Sequence, residues 1–511
     1  MALDRLEAAA IDGRTENIRY RQDQLQSLHR ALVEHAHLIY NALSSGSDNG
    51  RDAGNLKSSF SNESEAEYYL TMEAVRYFYK GLDFDAELEN EYKIVKKNED
   101  NHDRRAGFGV VVIRPTTHTR LYSVVVPVAA AVAGGNCVVL ELEKQDSRNR
   151  VDEVLWAVLP KALDVNTFCI LTDKISKGSI TETAVLVDQT GEGWLPQIQR
   201  HQLVSPASSR TVAFVDRTAD IETAAKAIVL ARCSFGGSSP YAPDLVVVNE
   251  FVKTDFVDAC TRAAGVLLPR GEGKEELEDV AKIIKDAEEK GEVGTGYGGE
   301  NAFTMVHILD RNTALMKMKI SGYFLPIMSC TGLVDAVFGT EFENPLLAGY
   351  FFAEPGAAKY MSQHLRCRVS CINQIPIHLL VGPAAPISNT APPDYLYRYS
   401  KNMFSMPRPQ YAEPLPAVFK PAEELLLLQP RATDDTEQPL LVLAKKSARK
   451  LATRPLKPTG QPITNDGVGF FESGLFLAGG ITLTVVVAAV GWTSWALGRR
   501  GWEFVGRLRG E

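Results

Sequence analysis

Between Ala231 and Asp244 the chain reads ARCSFGGSSPYAPD, and the side chains of this stretch that could bond to a substrate carbon include the thiol of Cys233 and the loop hydroxyls of Ser238 and Ser239. A thiol or hydroxyl attacks a carbonyl only when a neighbouring base takes its proton or its surroundings lower its pKa. No histidine stands near this loop in the sequence, so Ser238 and Ser239 are expected to be loop-surface serines. Cys233, at the end of a helical run, is expected to be a packing thiol. His118, in RPTTHTR, reads as a solvent-exposed or structural histidine. The seven cysteines are scattered, and the closest pair, Cys367 and Cys371 in RVSCIN, has no partner pair at zinc spacing. Reduced thiols in a cytosolic body, and no metal site, are the expectation.

Elements that could position these groups are legible in the patterning. The chain has 511 residues, 45% of them hydrophobic, enough for two or three domains around a large core. A net charge of −8 argues against a general nucleic-acid binder. The opening MALDRLEAAAIDGRTEN lacks the apolar core of a secretory signal. Leu25, Leu28, Leu32, Ala36, Ile39 and Leu43 recur at helical steps and predict an amphipathic helix over 16–43. Residues 44–64 read as a flexible insertion, and 65–79 resume a helical pattern. From Gly107 onward, short β-branched runs (GVVVI, NCVVLEL, TFCIL, AVLVD, TVAFV) alternate with helical segments. A second series follows, with strands at 245–249, 303–309, 350–352 and 368–373 and helices at 221–231 and 254–264. Continuously apolar strands separated by helices predict parallel sheets covered on both faces, hence two α/β domains with a cleft between them.

The C-terminal part differs. Pro386–Pro421 is proline-rich, and Pro430–Asp466 reads as a polar tether. Leu475–Leu497, LFLAGGITLTVVVAAVGWTSWAL, then carries no charge. As a helix it would be roughly 35 Å long, enough to cross a bilayer. Trp492 and Trp495 lie near one end, and Arg499, Arg500, Arg507 and Arg509 follow. A single-pass membrane helix in contact with lipid is expected, with a shallow hairpin breaking near Gly479–Gly480 or Gly491 as the alternative.

The stretch from about Gly107 to Pro386 resembles the aldehyde dehydrogenase superfamily. The resemblance is carried by GFGVVVIRPTTHTRLYSVVVPVAAAVAGGNCVVLELEK, by FVDRTADIETAAKAIVLARCSFGGSSPYAPDLVVV, and by ENPLLAGYFF with CINQIP. With its terminal hydrophobic segment, the chain looks like the fatty-aldehyde branch. The resemblance implies a Rossmann-like cofactor domain over 107–205 and a catalytic-type domain over 206–385. An N-terminal helical region (1–106), a Pro-rich and polar segment (386–474), the transmembrane helix (475–497) and a basic tail (498–511) complete the expected plan.

In that family a cysteine thiolate attacks the aldehyde, an asparagine amide stabilises the oxyanion, hydride passes to a nicotinamide, and a glutamate activates the hydrolytic water. The resemblance places the nucleophile position on Pro240, the oxyanion position on Thr117 and the general-base position on Pro206. Among cofactor positions, Glu141 replaces the lysine that holds the adenosine ribose, and Gly191 and Glu192 fall in the glycine-rich turn. Lys319 replaces the glutamate that grips the nicotinamide ribose. The expectation is therefore a degenerate site: no catalytic residue in the family sense, with Cys233, Ser238 and Ser239 as substitutes to be weighed. No cofactor is secure, and NAD is the nucleotide left open. The implied role is a membrane-anchored interaction or scaffold subunit, self-paired or paired with a related dehydrogenase. An oxidoreductase with a relocated nucleophile and a nucleotide- or apolar-ligand-binding module are the alternatives. The body is expected to face the cytosol, at the endoplasmic reticulum membrane.

Overall fold

Val110–Arg114 (β1) is buried throughout and forms the middle of a five-stranded sheet. In the computed structural model the remaining members are Cys137–Glu141 (β2), Phe168–Leu171 (β3), Val185–Asp188 (β4) and Gln202–Val204 (β5), all parallel, in the order β3-β2-β1-β4-β5. The structure describes residues 2–45, 62–142, 150–175, 184–191, 202–267, 278–294, 303–339, 345–387, 391–414, 416–428, 437–456 and 470–508. Consecutive strands step outward on one side of β1 and then continue on the other, the doubly wound pattern that places a crevice beyond the carboxyl ends of β1 and β4. The helix Arg120–Ala133 leaves β1 and is buried along nearly its whole length, clamped between this sheet and the helix Asn62–Lys80.

The second sheet has six parallel strands: Thr211–Val215 (β6), Leu245–Asn249 (β7), Thr304–Ile308 (β8), Phe324–Cys330 (β9), Leu346–Phe352 (β10) and Cys367–Ile372 (β11). Their order is β11-β10-β6-β7-β9-β8. Helix Ile221–Cys233 packs against helix Lys253–Leu267 over this sheet. The expected α/β class with two parallel sheets is present.

Three local expectations need correction. The helix over 16–43 is two helices, Ile18–Glu34 and Ala36–Ser45, parted at His35 (φ −102°, ψ 15°). Asn17 caps the first by accepting from the N–H groups of Arg19 and Tyr20. Strand β9 was not legible, because Pro326 lies inside it. Its pairing with β7 begins only at Ile327, so the missing proline N–H precedes that ladder. The helix expected from residue 65 begins at Asn62; residues 46–61, most of the expected insertion, lie outside the described residues.

The chain divides into two compact units, Met1–Glu413 and Pro414–Glu511. The first runs past residue 385 because Arg105–Gly107 pairs antiparallel with Ser405–Pro407. In the second, the expected polar tether contains a helix, Glu437–Ala452, whose apolar Leu440, Val442 and Leu443 are exposed. The hairpin alternative is not what the structure shows: Phe470–Leu508 is one helix, continuous through Gly479, Gly480 and Gly491. Within it, Phe476–Arg500 is long and apolar enough to cross a membrane, with a mean hydropathy of 1.8.

Candidate active site

The loop that follows helix Ile221–Cys233 turns sharply. Phe235, Gly236 and Gly237 have φ of 52°, 64° and 67°, three successive left-handed residues, the first without the freedom of glycine. Gly237 has no alternative: a Cβ there would sit 2.3 Å from the carbonyl oxygen of Gly322. Arg232, fully buried, pins the loop from behind by donating to the carbonyls of Gly237, Pro243 and Ile320.

Pro240 occupies the position expected for the nucleophile. It offers only a carbonyl, which accepts from Lys319 Nζ at 2.5 Å and from Thr211 Oγ1 at 3.1 Å. Lys319 also donates to Asp244 Oδ2 at 2.9 Å. That carboxylate, wholly buried, further accepts from the N–H groups of Thr211 and Ile320. Burial pushes the Lys319 ammonium below its ordinary pKa, and Asp244 opposes that shift. Both of these hydrogen bonds go to the nucleophile loop.

The crevice end of the first sheet is likewise filled from within. Arg114, at the end of β1, donates from Nε to Glu141 Oε2 at 2.7 Å, and its Nη1 lies 3.5 Å from Asp188 Oδ2. The other oxygen of Glu141 accepts from the N–H of Ile175 at 2.7 Å. All three charged side chains are buried. Gln189 ties the mouth of the crevice by accepting from the N–H of Thr116 and donating to the Ser123 carbonyl and the Tyr399 hydroxyl.

These contacts decide how well the site suits a dinucleotide. Glu141, the residue that would meet an adenosine ribose, is already bound by Arg114 and Ile175. Lys319, which would meet the nicotinamide ribose, is held by Asp244 and Pro240. Gly191 keeps the left-handed backbone of a turn (φ 87°), but Glu192 beside it lies outside the described residues. Both groups expected to meet the cofactor's riboses therefore already have partners within the protein.

The other expected positions are spread along the same cleft. Thr117 is exposed in the turn between β1 and helix Arg120–Ala133. Pro206 is half-buried just after β5, with its carbonyl accepting from the N–H of Ser209. Cys233 is 8% exposed, and burial pushes its thiol up to about 12, far from the thiolate needed for attack. Ser239 is buried and accepts from the N–H of Tyr241. Ser238 is exposed, and its Oγ lies 2.9 Å from His118 Nδ1.

That last contact is the one sequence reasoning missed. The two residues are separated by 120 positions, and His118 is neither fully exposed nor isolated from the loop. Its Nε2 lies 2.9 Å from the carbonyl oxygen of Leu380, and its ring meets Phe235 edge-on. Thr119, in a left-handed conformation (φ 41°), accepts from the N–H of Gly382 and fixes the turn. The available signal was positional: a residue next to Thr117 must border the loop that carries Pro240.

No family profile matches the chain. The dimeric NADP-preferring aldehyde dehydrogenase of Canis lupus familiaris is 22% identical over 444 residues, covering 81% of this chain and 94% of that protein. Aldehyde dehydrogenase family 3 member B1 of Bos taurus is 25% identical over 436 residues, covering 79% and 89%. Among solved structures, substrate-bound AldH of Staphylococcus Aureus superposes with a TM-score of 0.59 at 17% identity, covering 80% of this chain and 92% of that one. The glyceraldehyde-3-phosphate dehydrogenase GapN of Methanocaldococcus jannaschii, complexed with NADP, gives 0.56 at 16% identity, again covering 80% and 92%. In sequence this chain resembles the aldehyde dehydrogenase superfamily, and family 3 members in particular, and in structure it carries the aldehyde dehydrogenase fold.

Proposed function

We propose that this protein is an aldehyde dehydrogenase homologue that has lost aldehyde oxidation and serves as a membrane-anchored interaction or scaffold subunit, pairing with itself or with an active relative. The observation that carries the reading is the occupant of the nucleophile seat. Pro240 has neither a nucleophilic side chain nor an N–H, and its carbonyl is engaged by Lys319 from the cofactor side. Relocation of the family chemistry to Cys233 is not favoured, because that thiol is buried and its pKa is raised.

The apolar helix Phe476–Arg500 supplies the anchor in this reading. The body lies on the cytosolic side, at the endoplasmic reticulum membrane. Seven cysteines, all free, fit a reducing compartment. The test is an affinity pull-down from membranes solubilised in mild detergent, paired with calorimetric titration of the full chain with NAD and NADP. Recovery of an intact dehydrogenase or a second copy of this chain, without nucleotide binding, supports the proposal. Binding with turnover contradicts it.

A further inference from the structure

Between Glu437 and Leu456 the chain carries Lys445, Lys446, Arg449, Lys450 and Arg454 against a single carboxylate, Glu437, although its net charge as a whole is −8. The helix Glu437–Ala452 sorts these cations from its apolar side chains. By helical spacing Leu440, Leu443, Ser447 and Leu451 share one stripe, and all four are exposed. Leu441, Ala444 and Ala448 fall beside that stripe and are half-buried or buried, where the helix packs against its neighbour Lys420–Leu427. Lys446 and Lys450 border the leucine stripe on its other side, and Lys445 and Arg449 lie on the opposite face, all four of them exposed. Leu426 and Leu427 of the neighbouring helix are exposed as well.

Arg449 and Lys450 have a local role in the last turn, where cations complement the negative end of the helix dipole. Lys445 and Lys446, in mid-helix, have no such role, and the pairing of the two helices leaves Leu440, Leu443 and Leu451 in water. Their place in the chain supplies a partner. Residues 453–469 alone separate this helix from Phe470–Leu508, a covalent span that cannot exceed about 60 Å. Within the latter, Phe476–Arg500 is long and apolar enough to cross a bilayer. An exposed leucine stripe bordered by lysines, held that close to a bilayer, meets both requirements of an interfacial helix. Its apolar side chains can enter the headgroup boundary, and its cations can stay with the headgroups.

We infer that the helix Glu437–Ala452, backed by Lys420–Leu427, docks on an acidic lipid surface, with Leu440, Leu443 and Leu451 entering the headgroup boundary and Lys446 and Lys450 pairing with anionic headgroups. The cytosolic leaflet is the one that carries such lipids, which is the side on which the body is proposed to lie. The two attachments differ in kind. The crossing helix is held by apolar burial and is indifferent to salt, whereas the lysine contacts are electrostatic and weaken as ionic strength rises. This inference rests on the membrane-anchored reading and is independent of whether the cleft has lost catalysis.

The experiment is hydrogen–deuterium exchange read by mass spectrometry on the full chain in nanodiscs of phosphatidylcholine, alone or with about one-third phosphatidylserine. Protection over 476–500 in both kinds of disc reports insertion. The expected result is exchange over 437–452 slowed more than about tenfold in the acidic discs relative to the neutral ones. Raising the salt to about 1 M, where the screening length falls to about 3 Å, should relieve it. Lys446→Glu combined with Lys450→Glu should abolish the difference and leave exchange in the body unchanged. If that variant loses the helix, Leu440→Ser combined with Leu443→Ser, which alters no charge, should abolish it instead. Equal exchange over 437–452 in neutral and acidic discs, with 476–500 protected in both, overturns the proposal and leaves the anchor standing. So does exchange equally slow in detergent micelles, which assigns the leucine stripe to another part of the chain or to a second copy. Unprotected 476–500 removes the membrane reading, and this inference with it.

Discussion

Lys319 Nζ donates to the carbonyl oxygen of Pro240 at 2.5 Å, so a residue at an expected cofactor position holds the residue at the expected nucleophile position. The same ammonium pairs with Asp244, whose carboxylate is fully buried. Removing one partner of such a pair leaves the other charge uncompensated, which costs about 3–5 kcal/mol when the site is fully buried. Lys319 keeps 24% of its side chain exposed, so Lys319→Met is expected to destabilise the body by roughly 2–3 kcal/mol. Equilibrium denaturation in guanidinium checks this. An unchanged midpoint would show that Asp244 is held by Arg232 and the backbone alone.

Arg114, Glu141 and Asp188 form the second lock. Arg114→Met leaves two buried carboxylates without the guanidinium they share and is expected to cost about 3–5 kcal/mol. Glu141→Gln retains an oxygen for the N–H of Ile175 and should cost less. Thermal melts of the two variants test the order, and a milder effect for Arg114→Met would remove the case for an internal ion cluster.

Protonation of His118 gives a pH signature. Its folded pKa of about 4 lies below the ordinary histidine value of 6.5, so the unfolded chain binds the extra proton first. Stability should therefore rise with pH across that window and fall as pH drops from 6.5 toward 4. The charged group that acts on the ring is Arg398, whose guanidinium donates to four backbone carbonyls; Glu63 bonds to the N–H of Phe235, the residue whose ring meets His118 edge-on. His118→Gln should flatten the pH dependence by about 2 kcal/mol, allowing for the ring's partial exposure. Urea midpoints at pH 4.5 and 7 measure it.

The apolar helix makes a separate prediction. Arginine at the centre of a spanning helix costs about 2.5–3.5 kcal/mol of insertion free energy. The double substitution Val486→Arg and Val487→Arg, mid-way along Phe476–Arg500, should move the full chain into the carbonate-extractable fraction. Retention in the membrane pellet would assign attachment to another part of the chain.

Much of the fold was legible because its strands are uniformly apolar and short, as Val110–Arg114 and Leu245–Asn249 are. What escaped was set by tertiary context. Pro326 hides a strand whose register spares the missing N–H. The break at His35 falls inside an unbroken apolar stripe. Glu141 was recognised as a charge reversal, but its partner Arg114 sits on the neighbouring strand, and only sheet order brings them together. The site followed the same rule: the resemblance named Pro240, Thr117 and Lys319 one motif at a time, whereas the contact between His118 and Ser238 requires the two loops to be folded against each other.

The central claim is that this cleft does not oxidise aldehydes. The most direct measurement is aldehyde-dependent NAD(P)H formation, followed at 340 nm, by the purified full chain and by Pro240→Cys, with short-chain and long-chain aldehydes. The account predicts that both match the enzyme-free control, because restoring a thiol leaves Lys319 and Glu141 locked in place. NAD(P)H formation by the unmodified chain, saturable in aldehyde and nucleotide, would contradict it.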